Sequence, residues 1–402
     1  MGGMKAIGAL VCLGFLSVAC AAAQEGPRAG NVKLYEAVAS GATQQIEVID
    51  SHSHSVERRL PLGAATADWK HLYSIVSSSL IDTDPQTGRT QGTMALGGAY
   101  QLPTVAANGL PGGLSANTEW LVVESFDGAA TDMLVINNYW SRIQHRVHLQ
   151  GRFHFDAVSD DGDRLYLIQY LNGKEYYVRL YDLAGGRLDE NIVVDKSDGN
   201  QAMTGLRLSG VPAPDGSMLF SMYVRENESP FIHALNLSGP FAFCLDLPGG
   251  GYAQDKAATH WSLAMRSDGR RLYAINGATG VVAEVDTNNQ YSPQVLRTAR
   301  LDLTAGSATG TGAALLSRDG KTLVAAGGTG LLWVDPSTLR VRMRSLSDWR
   351  ISSLEMSPDG GTIYAVAPNG LVAEVSMTSG RVITRFGPID GDPLALMRVA
   401  AA

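Results

Sequence analysis

Short stretches in which apolar and polar residues alternate recur along this chain, each introduced by a polar turn. The clearest copy is "SPDGGTIYAV", beginning at Ser357. Related text begins at Ser159 ("SDDGDRLYLI"), Ala213 ("APDGSMLFSM"), Arg266 ("RSDGRRLYAI") and Ser317 ("SRDGKTLVAA"). Weaker copies begin at Thr66 ("TADWKHLYSI"), Ser115 ("SANTEWLVVE") and Ala29 ("AGNVKLYEAV"). In the turn, proline presets φ, aspartate bonds its own backbone and glycine takes positive φ cheaply. Alternation on either side predicts two strands joined by that turn. The apolar residue after each turn falls at Leu34, Leu72, Leu121, Leu165, Leu219, Leu272, Leu323 and Ile363, at spacings of 38, 49, 44, 54, 53, 51 and 40 residues.

A second landmark follows each of these positions: a strand that ends in Asp or Asn and then a short polar turn, as in "RLYDLAGG", "AEVDTNNQ" and "LWVDPSTL". The last copy, "AEVSMTSG", has serine instead. A fourth strand comes next, such as "RVITRF" from Arg381. Four strands per unit at a period of about 40 to 50 residues is the mark of a β-propeller. The expected fold is all-β, with eight four-stranded blades; seven blades with a decorated terminus is the alternative. The first unit, from Asn31, lacks its own first strand, and the chain closes with "DPLALMRV" (Asp392–Val399), a lone strand of that type. Pairing the two would complete a blade and cover the last open edge, which would otherwise invite aggregation.

The repeated S-P-D-G-x-x-L-Y and V-D-x-x-T-G texts resemble those of bacterial exported propellers with YVTN-like or WD-like repeats, over nearly all of the chain after its leader. The stretch "FHFDAVSDDGDRLYLIQYLNGKEYYVRLYDLAGGRL" is similar to a recurring segment of uncharacterised bacterial propeller lipoproteins. The resemblance implies export and the propeller fold. It implies no activity.

Composition adds a compartment. "MKAIGALVCLGFLSVACAAAQE" sets a lysine before an apolar run and then small residues, the layout of a secretory signal over 1–23. The apolar run falls short of the ~20 residues that a membrane span needs. Two cleavage readings stand side by side. "AAAQ" fits an ordinary small-x-small cut, and "LSVAC" resembles a lipobox that would lipidate Cys20. Residues 24–30 read as a flexible tether and 31–402 as the propeller. Of three cysteines, Cys12 leaves with the leader and Cys20 is removed or capped, so Cys244 is expected as a buried thiol rather than half of a disulfide. Charged residues are 18% of the chain and the net charge is −7. With no basic run, nucleic acid is excluded as a partner, and an acidic body is repelled by anionic lipid headgroups. Membrane attachment is expected only through a lipid on Cys20, and the protein is expected to be a monomer.

Catalytic motifs are lacking. There is no G-x-S-x-G elbow and no H-E-x-x-H. "DGKT" at Asp319 resembles the tail of a phosphate loop, but Leu315 stands where that loop needs glycine. "GSATGTGAA" from Gly306 runs into a strand, whereas a nucleotide cradle needs a helix N-terminus. The histidines of "HSH" (His52, His54) fall, by repeat phase, in an outer turn with no third ligand near in sequence. The six tryptophans are not regularly placed in the repeat, so no quinone-binding blade motif is evident. No cofactor and no metal is therefore expected.

The channel mouth is where polar residues converge. Those entering the innermost strands are His154, Asp156, Thr204, His260, Trp261, Thr311, Trp349, Arg350, Asp390 and Asp392. Imidazole, carboxylate, guanidinium and aromatic surface together suit a small polar ligand or a loop of an envelope protein. The expected function is that of a non-catalytic binding or scaffold protein outside the cytoplasm. The alternative is a lactonase-like hydrolase working through His154, Asp156 and His260, since acid–base chemistry needs such groups within hydrogen-bond reach.

Overall fold

The computed structural model describes residues 30–139, 141–195, 199, 201–301, 312–327 and 330–402. The leader, Cys20 and nearly all of the tether lie outside these residues, as does Thr311. Eight antiparallel sheets follow one another round a ring. Each of the eight landmark apolar residues begins or lies within the second strand of its blade, and all are buried, seven of them completely. The reason is the period of two: alternate side chains of a second strand face the neighbouring blade on one side and on the other. Apolar clusters accordingly fill the seams, for example Trp261, Met222 and Ile232 between the fifth and sixth sheets.

Blade 1 is composite. The C-terminal strand Asp392–Ala401 pairs with Val32–Ser40, followed outward by Thr43–Asp50 and Val56–Pro61. Leu34 lies opposite Val399 and Ala37 opposite Ala395, so the tail supplies the innermost strand and seals the ring. Eight blades and closure by the tail are thus as the repeat pattern predicts.

The polar turns clasp neighbouring blades. In "SPDG", the amide of Gly360 donates to the Ser357 carbonyl at 2.9 Å and that of Gly361 to the Asp359 carboxylate at 2.9 Å. Asp160 in the equivalent turn of blade 4 accepts from the indole Nε1 of Trp120 in blade 3 at 3.2 Å, through its carbonyl. The turn glycine there, Gly162, has φ +73°, and a Cβ on it would lie 2.2 Å from the Trp120 ring. Glycine is needed at this bend for its backbone and for the ring it admits.

Blade 3 departs from the expectation of four regular strands. Three are present, Trp120–Phe126, Ala130–Asn137 and Arg142–Gln150. In the innermost place the chain makes only isolated bridges, Gln101 to Glu124 and Leu114 to Leu121. Between these bridges lies a small hairpin, with Thr104 opposite Pro111 and the Gly112 amide donating to the Pro103 carbonyl at 2.8 Å. Its tip reaches blade 5, where the Ala107 amide donates to the Leu208 carbonyl at 3.1 Å. Two prolines and the Asn108-Gly109 pair explain why this stretch turns instead of joining the ladder.

Candidate functional site in the channel

The first strands of blades 4 and 5, Phe153–Val158 and Leu206–Pro212, carry His154, Asp156 and Arg207. His154 is 35% exposed, and its Nδ1 lies 3.0 Å from Oε1 of Glu124, on the second strand of blade 3. The other oxygen of Glu124 accepts the backbone N–H of Phe155 at 3.0 Å. A carboxylate bound at both oxygens fixes the imidazole, so Nδ1 is the donor and Nε2 is the nitrogen turned away from Glu124. Tyr170 meets His154 edge-on at 5.4 Å, and Arg152 lies 5.2 Å from the centre of the Tyr170 ring.

Two residues further along the strand, Asp156 is buried, and its Oδ1 accepts from Nη1 of Arg207 at 2.8 Å. The second oxygen of Asp156 and the Nε of Arg207 have no hydrogen-bond partner. Gly210 makes room for the guanidinium: a Cβ there would lie 2.5 Å from Nη2 of Arg207. Behind the pair, the rings of Tyr176, Tyr223 and Phe231 stack in turn, at 6.1 and 5.3 Å. His233 is fully buried beside them, and desolvation pulls its pKa below the ordinary value, so it is held as neutral imidazole.

A cavity of about 290 Å³ adjoins Asp156 and Arg207. Its wall is made of small and apolar residues, among them Ala64, Ala65, Val105, Ala157, Leu219 and Leu237. Ala67, Ser115 and Thr118, in turns that lead into second strands, also line it, as do Val158 and Pro212 at the ends of first strands. It therefore belongs to the mouth opposite the one where the first strands begin. The hairpin of blade 3 contributes Val105 and Pro111 to its wall.

The remaining expected residues are spread round the ring. Thr204 lies in the short strand Met203–Thr204, opposite Glu175 of blade 4, and is half-buried. His260 caps a single 3-10 turn and is 4% exposed. Trp261 is 2% exposed and Trp349 9%, both packed in apolar seams between blades. Arg350 is exposed, and Arg385 lies over the Trp349 ring at 5.2 Å. Asp390 accepts from Arg59 at 2.7 Å, and Asp392 begins the closing strand, exposed. His52 and His54 sit in the turn between the third and fourth strands of blade 1, and His54 stacks on Phe386 at 4.2 Å. Cys244 is half-buried rather than buried, because its strand, Ala242–Asp246, is the outer edge of blade 5. Among the described residues no group of three or more His, Cys, Asp or Glu could hold a metal ion.

Glu124 and Arg207 were not expected from the sequence. A lone acid in "WLVVESF" and a lone cation in "GLRLSGV" are the signals: each is a charge in a strand otherwise apolar or small. A charge in such a strand demands a partner, though the strand does not say which.

No family model matches the chain, and no curated protein matches it. Solved structures do. Dihydro-heme d1 dehydrogenase NirN, solved in complex with DHE, aligns with a TM-score of 0.55 at 13% identity, over 94% of this chain and 76% of that one. The periplasmic gluconolactonase PpgL of Pseudomonas aeruginosa aligns with a TM-score of 0.50 at 18% identity, over 92% of this chain and 99% of that one. At such identities the likeness is one of fold, and the eight sheets of this chain make that fold an eight-bladed β-propeller.

Proposed function

We propose that this protein is exported and acts as a binding protein that captures a small ligand in the channel, along the arc of blades 3 to 5. The observation that carries the reading is the Asp156–Arg207 pair: the carboxylate buried and the guanidinium half-buried, bonded once, with one acceptor and one donor unpartnered, and adjoining a cavity. Buried polar groups in folded proteins are nearly always satisfied, so a pair left half-satisfied beside a cavity fits a site that a ligand completes. The secretory layout of 1–23 supports export, as does the shared fold with a protein described as periplasmic. The mature N-terminus, with or without a lipid on Cys20, is read by mass spectrometry of the protein from its native envelope. The binding reading is tested by denaturing the native protein and identifying released small molecules. A stoichiometric compound present with the wild type and lost with Arg207→Met supports it; release of nothing from either counts against it.

A second reading, a hydrolase at the opposite mouth, is favoured by one observation only. The Glu124–His154 pair orients an exposed imidazole as a general base would be oriented. Asp156 is engaged by Arg207, and His260 lies two blades away, so His154 would act with Glu124 instead. Turnover of a lactone and ester panel that disappears in His154→Ala would support this reading, and identical rates in both proteins would end it.

A further inference from the structure

We infer that the outer flank between blades 6 and 7 is a docking groove for an extended acidic segment of a partner protein. The groove lies away from the channel and does not rest on the binding reading above, so either can fail without the other.

The groove follows the outer strand of blade 7, Arg340–Ser345, which pairs on one side only, with Leu331–Asp335. Its other wall is the end of the outer strand of blade 6, Gln294–Arg300, with Leu301 after it. The space is about 550 Å³. The two walls are tied together. Arg297 is bonded to Glu284 of its own blade at 2.7 Å and donates across the gap to the carbonyls of Pro336 and Ser337 at 2.8 and 2.7 Å. The groove is therefore ready-formed, and filling it asks for little ordering of the protein.

The charge of the lining gives the class of occupant. Arg300, Arg340, Arg342 and Arg344 line the groove and are exposed, and no Asp or Glu lines it. Asp335 holds Arg342. In a chain of net charge −7 this is a local reversal of sign. Other outer strands are not built this way: that of blade 4, Arg187–Val193, mixes Arg187 with Asp189 and Glu190, and that of blade 2, Thr90–Ala95, has no charge. Arginines that only keep an edge strand from pairing need no second wall, whereas here blade 6 adds Arg300 across the gap.

The spread of the charges gives the shape. At ~3.3 Å per residue, positions 340 to 344 span about 13 Å, a length that suits several carboxylates along one extended chain better than one small anion. Beside the arginines the lining is aliphatic, with Leu301, Leu339, Val341 and Met343. These residues suit the apolar side chains of a peptide. A nucleic acid strand stacks its bases on aromatic rings, and none lines the groove. An anionic membrane would also press on the acidic remainder of the body. A second copy docked edge to edge would set arginine against arginine.

The test is fluorescence anisotropy with the purified full-length mature protein. The probe is a labelled peptide of about eight residues, long enough at ~3.3 Å each to pass both ends of the strand, in which glutamate alternates with valine or serine. Saturable binding is expected, lost when lysine replaces glutamate in the peptide and weakened by added salt. Arg340→Glu combined with Arg344→Glu is expected to weaken binding at least tenfold, and Arg300→Glu, on the other wall, at least threefold. Arg187→Glu makes a like change of charge on blade 4 and is expected to leave binding unchanged. All of these positions are exposed, so unaltered melting is expected of each variant. No binding of the acidic peptide, equal binding of the lysine peptide, or equal weakening by Arg187→Glu would overturn the groove. Self-association of the groove variants with peptide binding intact would also overturn it, leaving the arginines as guards of the edge. An oligothymidine or phosphatidylglycerol vesicles that bind more tightly than the peptide, and are lost with the double variant, would overturn the acidic segment as occupant.

Discussion

Asp156 and Arg207 stand 51 positions apart on the first strands of adjacent blades, yet the guanidinium donates at 2.8 Å to a carboxylate whose side chain is 1% exposed. With Asp156 buried and Arg207 half-buried, the pair is costly to break from one side, because the survivor keeps its charge without its partner; for fully buried pairs the loss is about 3–5 kcal/mol. Asp156→Ala is therefore expected to lower unfolding stability by about 3 kcal/mol, which urea denaturation would report as a shifted midpoint. The double variant Asp156→Ala, Arg207→Met should recover at least half of that loss. If the double variant is as unstable as the sum of the singles, the two side chains do not depend on each other.

Glu124 anchors a second link between blades, accepting from the Phe155 amide and from His154. Glu124→Ala leaves the Phe155 N–H buried and unpaired, at a cost of about 1–3 kcal/mol. Glu124→Gln keeps an acceptor for one of the two donors and is expected to lose less. Thermal unfolding of the two variants separates a hydrogen-bonding role from simple packing: equal losses would mean that volume alone is at stake.

Much of this architecture can be read from the chain, because a propeller writes itself in short-range signals. Ser357, Asp359 and Gly360 specify a turn within four residues, and Ile363 marks the buried strand just after it. The closing strand is legible for the same reason, as an unmatched unit at each end. The candidate site is less legible. His154 and Asp156 can be placed near the channel by counting, but their partners Glu124 and Arg207 belong to other blades. Which residues meet across a seam depends on the stagger between sheets, and local alternation carries no record of it. Trp261 illustrates the limit differently: one residue after His260, which caps a 3-10 turn, it begins the strand and packs into the seam. The hairpin of blade 3 was hidden in a repeat spacing of 49 residues, which lies within the 38 to 54 residues that the spacings span round the ring.

The closing strand makes a sharper prediction. Residues 392–401 supply the innermost strand of blade 1, with Leu396 and Val399 buried against Val32, Leu34 and Val366. Its loss removes several ladder bonds at about 1 kcal/mol each, and buried side chains at about 1.5–3 kcal/mol each. Together these rival the ~5–15 kcal/mol total stability of a typical domain. A chain ending at residue 391 is expected to lose its single cooperative melting transition and to associate through the bared edge of Val32–Ser40. Size-exclusion chromatography would show it. A monomer of the truncated chain with an unchanged melting curve would contradict closure by the tail.

The turn glycine of blade 4 carries two constraints at once, a left-handed backbone and the Trp120 ring against its α-carbon. Gly162→Ala is expected to cost about 1 kcal/mol for the backbone and about 1–3 kcal/mol more for displacing the indole. Loss of the Trp120 to Asp160 bond should accompany it, seen as a red shift of tryptophan emission. A variant as stable as the wild type would show that the two blades are not clasped at this turn.

Glu36 and Glu47 lie opposite each other on the second and third strands of blade 1. Glu47 is bonded to Arg59 at 2.9 Å, while both oxygens of Glu36 are buried without a partner. Burial, and then the neighbouring Glu47, push the Glu36 carboxyl well above the ordinary glutamate range. The sign follows from linkage. With the folded-state pKa raised, the native state holds a proton that the unfolded chain has released. The stabilisation is complete below the unfolded value of about 4.3 and is lost as pH rises through the folded value. Glu36→Gln removes the ionisable group and keeps the volume, so it is expected to stabilise the protein at pH 8 more than at pH 4. Melting temperatures of both proteins from pH 4 to 8 would show curves that converge at the acid end and separate at the alkaline end; a constant offset between them would mean that Glu36 does not titrate in the folded ring.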